Sequence, residues 1–148
     1  SLSYSNMEKS CGVVLFNGQK VLLLQYATGQ KEGDSDLQGH WDFPKGHVDK
    51  GETEIETATR ELEEETGIKN IMLLENFRKT INYTFQKGDS KIAKEVVFFI
   101  ATTGETEINL SHEHVDYGWF DFTSALKQLT YDNARSVLSE AIIFYEKS

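Results

Sequence analysis

The order of the segments predicts an α+β fold or an α/β/α sandwich, with a mixed, mostly antiparallel sheet and helices packed on it. Two observations carry this. Strand-like segments precede one amphipathic helix, further strands follow it, and a second amphipathic helix closes the chain. The 148 residues contain no internal repeat, low-complexity tract or linker, so residues 7–148 are expected to form one domain with one substantial core.

Taken in order, Ser1 to Asn6 is polar and reads as a flexible end. Gly12 to Phe16 is a short apolar strand, and Asn17-Gly18 is a two-residue hairpin signal. Val21 to Tyr26 returns, apolar enough for burial on both faces. Ala27 to Gly39 is a long polar loop. His40 to Phe43 is a short aromatic strand ended by Pro44, the only proline. Thr53 and Glu56 have capping-box spacing, which starts a helix near Thr53, and Gly67 stops it. Its apolar stripe is Ile55, Ala58 and Leu62. Phe77 to Phe85 alternates as a strand, Lys87 to Ser90 turns, and Ile92 to Ala101 is rich in β-branched and aromatic residues. Tyr117 to Phe122 is a last strand. Asp121 or Thr123 caps a short helix, Ser124 to Leu129, and Asp132 to Lys147 has 3.6-residue apolar spacing.

Composition narrows the function. The net charge of −9 argues against long nucleic acid, whose affinity comes from clustered Lys and Arg. It leaves room for a small phosphate ligand met by metal ions and a few local cations. No apolar run is long enough to span a bilayer and no signal-peptide pattern is present, so no membrane association and a cytoplasmic location are expected. The single cysteine, Cys11, forms no internal disulfide and reads as a small buried residue. No obligate protein partner is inferred.

One stretch breaks a local rule. The Thr53–Thr66 helix ends in Glu61, Glu63, Glu64 and Glu65, against the negative end of its own macrodipole. With Glu61 at 0° on a helical wheel, Glu64 falls at about −60° and Glu65 at about +40°, so three carboxylates share a face and Glu63 does not. Such oxygen donors suit a hard divalent cation. Arg60 is four residues from both Glu56 and Glu64 and can pair with either.

Gly46, Glu52, Arg60-Glu61-Leu62, Glu64-Glu65 and Gly67-Ile68 stand at the spacing G-x5-E-x7-R-E-U-x-E-E-x-G-U, with U aliphatic. This resembles a complete Nudix box. The resemblance implies an α/β/α sandwich with helices on both faces of the sheet, and Mg2+- or Mn2+-dependent hydrolysis of a nucleoside diphosphate linked to another group. It implies Glu65 as a core metal ligand, Glu61 and Glu64 as ligand or water-activating base, and the Gly46 carbonyl as a further ligand. Glu52 and Arg60 are then orienting residues.

Three segments outside the carboxylate run are similar to the asymmetric diadenosine tetraphosphate hydrolases of the animal and archaeal type. Trp41-Asp42-Phe43-Pro44-Lys45-Gly46-His47 is close to W-x-x-P-K-G-H, and implies that Lys45 and His47 meet phosphate. Leu110-Ser111-His112-Glu113-His114 implies that Glu113 approaches the metals, with His112 and His114 meeting phosphate or orienting ligands. Tyr83 and Tyr131 match aromatics that sandwich adenine, and Lys94 a lysine near the phosphate chain. Lys87 and Lys91 are weaker candidates. Asp42 departs from the Thr or Gly common at its position and adds a negative charge. The expected ligand is a small dinucleoside polyphosphate or nucleotide. The alternatives are a broader pyrophosphohydrolase, acting on dNTPs, nucleoside diphosphate sugars or an RNA 5′ end, and a non-catalytic nucleotide sensor. A sensor would be expected to have lost box carboxylates, and all of them are present.

Overall fold

The backbone of the fold is a parallel pair. In a computed structural model describing residues 7–27 and 39–148, strand β1 (Met7–Asn17) runs beside β7 (Ser90–Thr103) from Met7↔Ala93 to Phe16↔Thr102. The other edge of β1 carries β4 (Lys45–His47) at Ser10 to Gly12 and β2 (Lys20–Tyr26) at Phe16 and Asn17, both antiparallel. Beyond β2 lie β3 (Trp41–Asp42) and β8 (His114–Asp121). The outer edge of β7 carries β6 (Lys79–Lys87) and β5 (Ile71–Leu73). The eight strands form one mixed, mostly antiparallel sheet.

Alternation along the central strands feeds two cores. On one face Val14, Phe16, Val96, Phe98 and Ile100 pack under α2 (Phe122–Gln128) and α3 (Asp132–Lys147), through Ala125, Leu129, Val137, Leu138 and Ala141. On the other face Cys11, Val13, Leu15, Val97 and Phe99 pack under α1 (Glu54–Thr66), through Ala58 and Leu62. Helices therefore cover both faces. Truncating Leu62, wholly buried in this second core, would cost about 2–5 kcal/mol. Burial pushes the Cys11 thiol up to about 11 and keeps it protonated. Among the described residues, no helix is long and apolar enough to cross a membrane.

Local chemistry sets the ends of α1. Thr53 accepts from Glu56 N–H and Glu56 accepts from Thr53 N–H, closing a capping box. Gly67 takes φ 81°, where a Cβ would be strained, and its N–H reaches the Glu63 carbonyl. Asp121 caps α2, and α3 spans the expected range.

Several local expectations are corrected. The first hairpin turns on Gly18 and Gln19, with Gly18 at φ 57° and Asn17 paired to Lys20. Asn17 instead donates its amide to the Thr103 carbonyl, tying the turn to β7. The aromatic strand is shorter than expected, Trp41–Asp42, and after Pro44 a separate strand, β4, forms against β1, where the missing side chain of Gly12 admits the Pro44 carbonyl and Lys45. Strand β5, too short to show a period, went unread in the sequence. Ile55 is exposed, because in the first turn it is Glu54 that reaches the sheet, through Lys9 on β1 and Arg78. The expected flexible end (1–6) and most of the polar loop (28–38) lie outside the described residues.

Candidate active site

The site is where the last turns of α1 meet β4. β4 presents Gly46 toward α1, and a Cβ built on Gly46 would overlap the Glu61 carboxyl group. A glycine is thus what lets the carboxylate reach the main chain. One turn on, Glu65 is buried and its Oε1 accepts from the Lys45 backbone N–H at 3.1 Å, pinning β4 to the helix. Glu61 and Glu65 lie within hydrogen-bonding reach of each other. Burial pushes the Glu61 carboxyl up, against the pull of Arg60. A buried carboxyl held above its usual range favours a cation as its neighbour.

Arg60 is the hub of this end of the helix. Its Nε donates to Glu52 Oε2 at 2.6 Å, NH2 to Glu52 Oε1 at 3.0 Å and to the His47 carbonyl at 2.9 Å, and NH1 to Glu61 at 2.7 Å and Glu64 at 3.1 Å. These carboxylates hold the guanidinium charged, its pKa raised. Glu52 also accepts from Asp49 N–H and Thr57 Oγ, and with Arg60 as the main cause its carboxyl falls to about 2. Of the two partners expected from helical spacing, Arg60 takes Glu64 and not Glu56, which is spent on the capping box. Glu63 points away, exposed, 3.8 Å from Lys69.

Among the described residues, no three His, Cys, Asp or Glu side chains already converge as a metal cage. Arg60 NH1 sits between Glu61 and Glu64 as a resident cation. The donor set still fits a hard divalent ion. It consists of carboxylate oxygens, one of them in a cradle that a side chain at 46 would fill.

The substrate-side candidates divide between places. Lys45 opposes Gly12 and His47 opposes Ser10 on β1, and Tyr83 opposes Lys94, which lies beside Glu8. Paired positions share a face, so Lys45, His47, Tyr83 and Lys94 all project to the α2–α3 side of the sheet. Lys45 and Lys94 are both buried. His47 Nε2 lies 3.2 Å from Glu8, which also faces Lys87 at 4.0 Å. Lys91 sits exposed beside the Gly88-Asp89 turn, opposite Gln86. Tyr131, at the start of α3, tilts against His40 with ring centres 5.5 Å apart. His112 and Glu113 are exposed on the loop before β8, where the Glu113 carbonyl accepts from Ala27 N–H. His114 is buried, 3.0 Å from Ser111 Oγ and 4.4 Å from the Tyr26 ring. That loop is docked on the helix by Asn109 N–H to the Thr66 carbonyl and Ser111 N–H to the Glu65 carbonyl.

Sequence reasoning missed Tyr26. It read as one more apolar strand residue, but it stacks on His40 at 4.8 Å and its hydroxyl donates to the Phe43 carbonyl. Burial, with Glu65, Asp42 and Glu61 nearby, pushes its phenol well up.

A sandwich whose α1 brings Arg60, Glu61, Glu64 and Glu65 to β4, with Glu52 of the preceding loop bonded to Arg60, has the make-up of a pyrophosphate-cleaving hydrolase of the Nudix class. The chain belongs to the Nudix family: the NUDIX domain matches residues 7–141. It is 34% identical over 146 residues to the rat (Rattus norvegicus) bis(5′-nucleosyl)-tetraphosphatase [asymmetrical], covering 89% of this chain and 91% of that protein. Among solved structures it resembles a Caenorhabditis elegans Ap4A hydrolase binary complex at TM-score 0.79 and 30% identity, over 95% of this chain and 99% of that one. A shorter likeness, 39% over 75 residues, is to the RNA pyrophosphohydrolase of Bartonella quintana, covering 50% of this chain and 43% of that protein. The chain is a Nudix hydrolase, and hydrolases of this family generally use divalent metals.

Proposed function

We propose that the chain hydrolyses diadenosine tetraphosphate asymmetrically, to ATP and AMP, with magnesium. The observation that carries this reading is the 34% identity to the rat tetraphosphatase over nearly the whole of both chains. The placement of two buried lysines and Tyr83 on one sheet face, with the Lys45 backbone N–H bonded to the box residue Glu65, supports it.

In this reading Lys45 and Lys94 meet phosphate oxygens, and Tyr83 and Tyr131 stack on adenine, a contact of about 1–3 kcal/mol per base. His47 and His112 flank the phosphate chain, and the buried His114 holds the loop that presents Glu113. The Gly46 carbonyl, Glu61, Glu64, Glu65 and Glu113 would hold a magnesium or manganese ion, which when bound would neutralise charge on the phosphate oxygens and acidify the attacking water. Arg60, fixed by Glu52, keeps Glu61 and Glu64 aligned. Glu61 or Glu64 takes the water proton. The water oxygen bonds to phosphorus, the opposite bridging P–O bond breaks, and its electron pair leaves on the departing nucleotide. The ligand is a small molecule, the setting cytoplasmic, and no protein partner is required.

The likeness to an RNA pyrophosphohydrolase favours one second reading, removal of pyrophosphate from an RNA 5′ end. The net charge of −9 weighs against it. A panel of diadenosine tetraphosphate, ATP, dNTPs, nucleoside diphosphate sugars and 5′-triphosphate RNA, compared by kcat/KM with magnesium, separates the two. Highest kcat/KM on the dinucleotide supports the proposal, and highest kcat/KM on RNA rejects it.

A further inference from the structure

The geometry points to Asp42 as an internal competitor for the phosphate that Lys45 binds, a residue that lowers anion affinity and so sets how tightly nucleotides are held. This rests on the reading of Lys45 as a phosphate contact. Asp42 ends β3, and its carboxylate is fixed by the Phe43 N–H, which donates to Oδ1 at 2.7 Å. The other oxygen lies 3.8 Å from Lys45 Nζ. Both side chains are nearly out of water, at 10% and 7% exposure, so little screening weakens their attraction. The Tyr26 ring lies 5.8 Å from the same ammonium, and is itself held by the stack on His40 and the hydroxyl bond to Phe43. Lys45 is further fixed through its backbone N–H on Glu65.

The 3.8 Å separation matters, because it is longer than the roughly 2.7–2.9 Å of a charge-assisted hydrogen bond. Asp42 therefore attracts the ammonium by charge at a distance longer than a hydrogen bond. A phosphate oxygen at hydrogen-bond distance takes the ammonium, but does so against the fixed negative charge of Asp42. That charge acts on every anion that reaches Lys45, and it eases the departure of a product phosphate as much as it opposes the arrival of substrate.

The test is a double-mutant cycle read by calorimetric titration of ATP in EDTA, where no turnover occurs. Asp42→Asn keeps the acceptor for Phe43 and removes the charge. It is expected to tighten ATP binding by about three- to tenfold. Lys45→Met should weaken binding, and Asp42→Asn added to Lys45→Met should change nothing further. In steady state, Asp42→Asn should lower KM for diadenosine tetraphosphate more than it alters kcat. Asp42→Thr is the second variant, should Asn perturb folding. Unchanged ATP affinity in both Asp42 variants, with Lys45→Met weakened, overturns this inference alone. Equal tightening with and without Lys45 overturns it too, since Asp42 would then act as a diffuse charge. Unchanged binding in Lys45→Met removes Lys45 from phosphate binding and the inference with it.

Discussion

The Glu61 carboxylate lies against the main chain of Gly46, in the volume that a side chain at 46 would fill. Gly46→Ala should therefore push Glu61 out of place. A misplacement of about 1 Å is enough to cost roughly a hundredfold in rate. Loss of kcat on that scale, with the far-ultraviolet circular dichroism retained, is the expected result. An alanine variant of ordinary activity would detach Glu61 from the chemistry.

Burial raises the Glu61 carboxyl pKa, against the pull of Arg60. The sign follows from linkage: an acid raised in the folded state favours folding at low pH and loses that contribution as pH rises through its folded value. Glu61→Gln should thus melt higher than the parent at neutral pH in EDTA. The gain should vanish at acid pH, where Glu61 is protonated anyway. The same variant, or Glu64→Gln, should lose at least about a hundredfold in kcat, the larger loss marking the base that takes the water proton.

Glu52 and Glu54 work in the opposite direction. Arg60 holds the first, and Arg78 with Lys9 the second, at about 2. Lowered acids contribute stability above their ordinary range, and that contribution fades as pH falls from about 5 toward 2. Thermal melts across that window should show it. Arg78→Met should flatten the dependence by releasing Glu54, and an unchanged slope would mean that the Lys9–Glu54–Arg78 cluster does not tie α1 to the sheet.

The capping box gives a separate check on α1. Thr53→Ala removes the acceptor for Glu56 N–H and should cost about 1 kcal/mol, read as a lower melting temperature. A melting temperature equal to the parent's would mean the first turn is held by Glu54 alone.

Much of this fold was legible in the chain because it is written in local rules. The capping pair Thr53 and Glu56, the αL stop at Gly67, the alternation before and after Gly88-Asp89 and the periodicity of α3 each depend on near neighbours. β4 was not legible, since three residues after a proline have no period and exist as a strand only because β1 is there to pair with them. The box spacing exposed the acidic residues but not their order of contact. Arg60 meets Glu52, eight residues back and just before the N-cap of α1, and this pairing separates the hub from the helical i,i+4 neighbour Glu56. Tyr26 and the Asp42–Lys45 pair were hidden for the same reason. Their meaning lies in contacts between β2, β3 and β4, which no spacing within one segment reveals.

The proposed reaction is asymmetric cleavage by water at a phosphorus of a dinucleoside tetraphosphate. Incubating the protein with diadenosine tetraphosphate and magnesium, and separating the nucleotides by chromatography over the first few per cent of reaction, tests it most directly. Equal amounts of ATP and AMP, formed together and abolished by EDTA, are predicted. Two equivalents of ADP, or no turnover while 5′-triphosphate RNA is consumed, would contradict it.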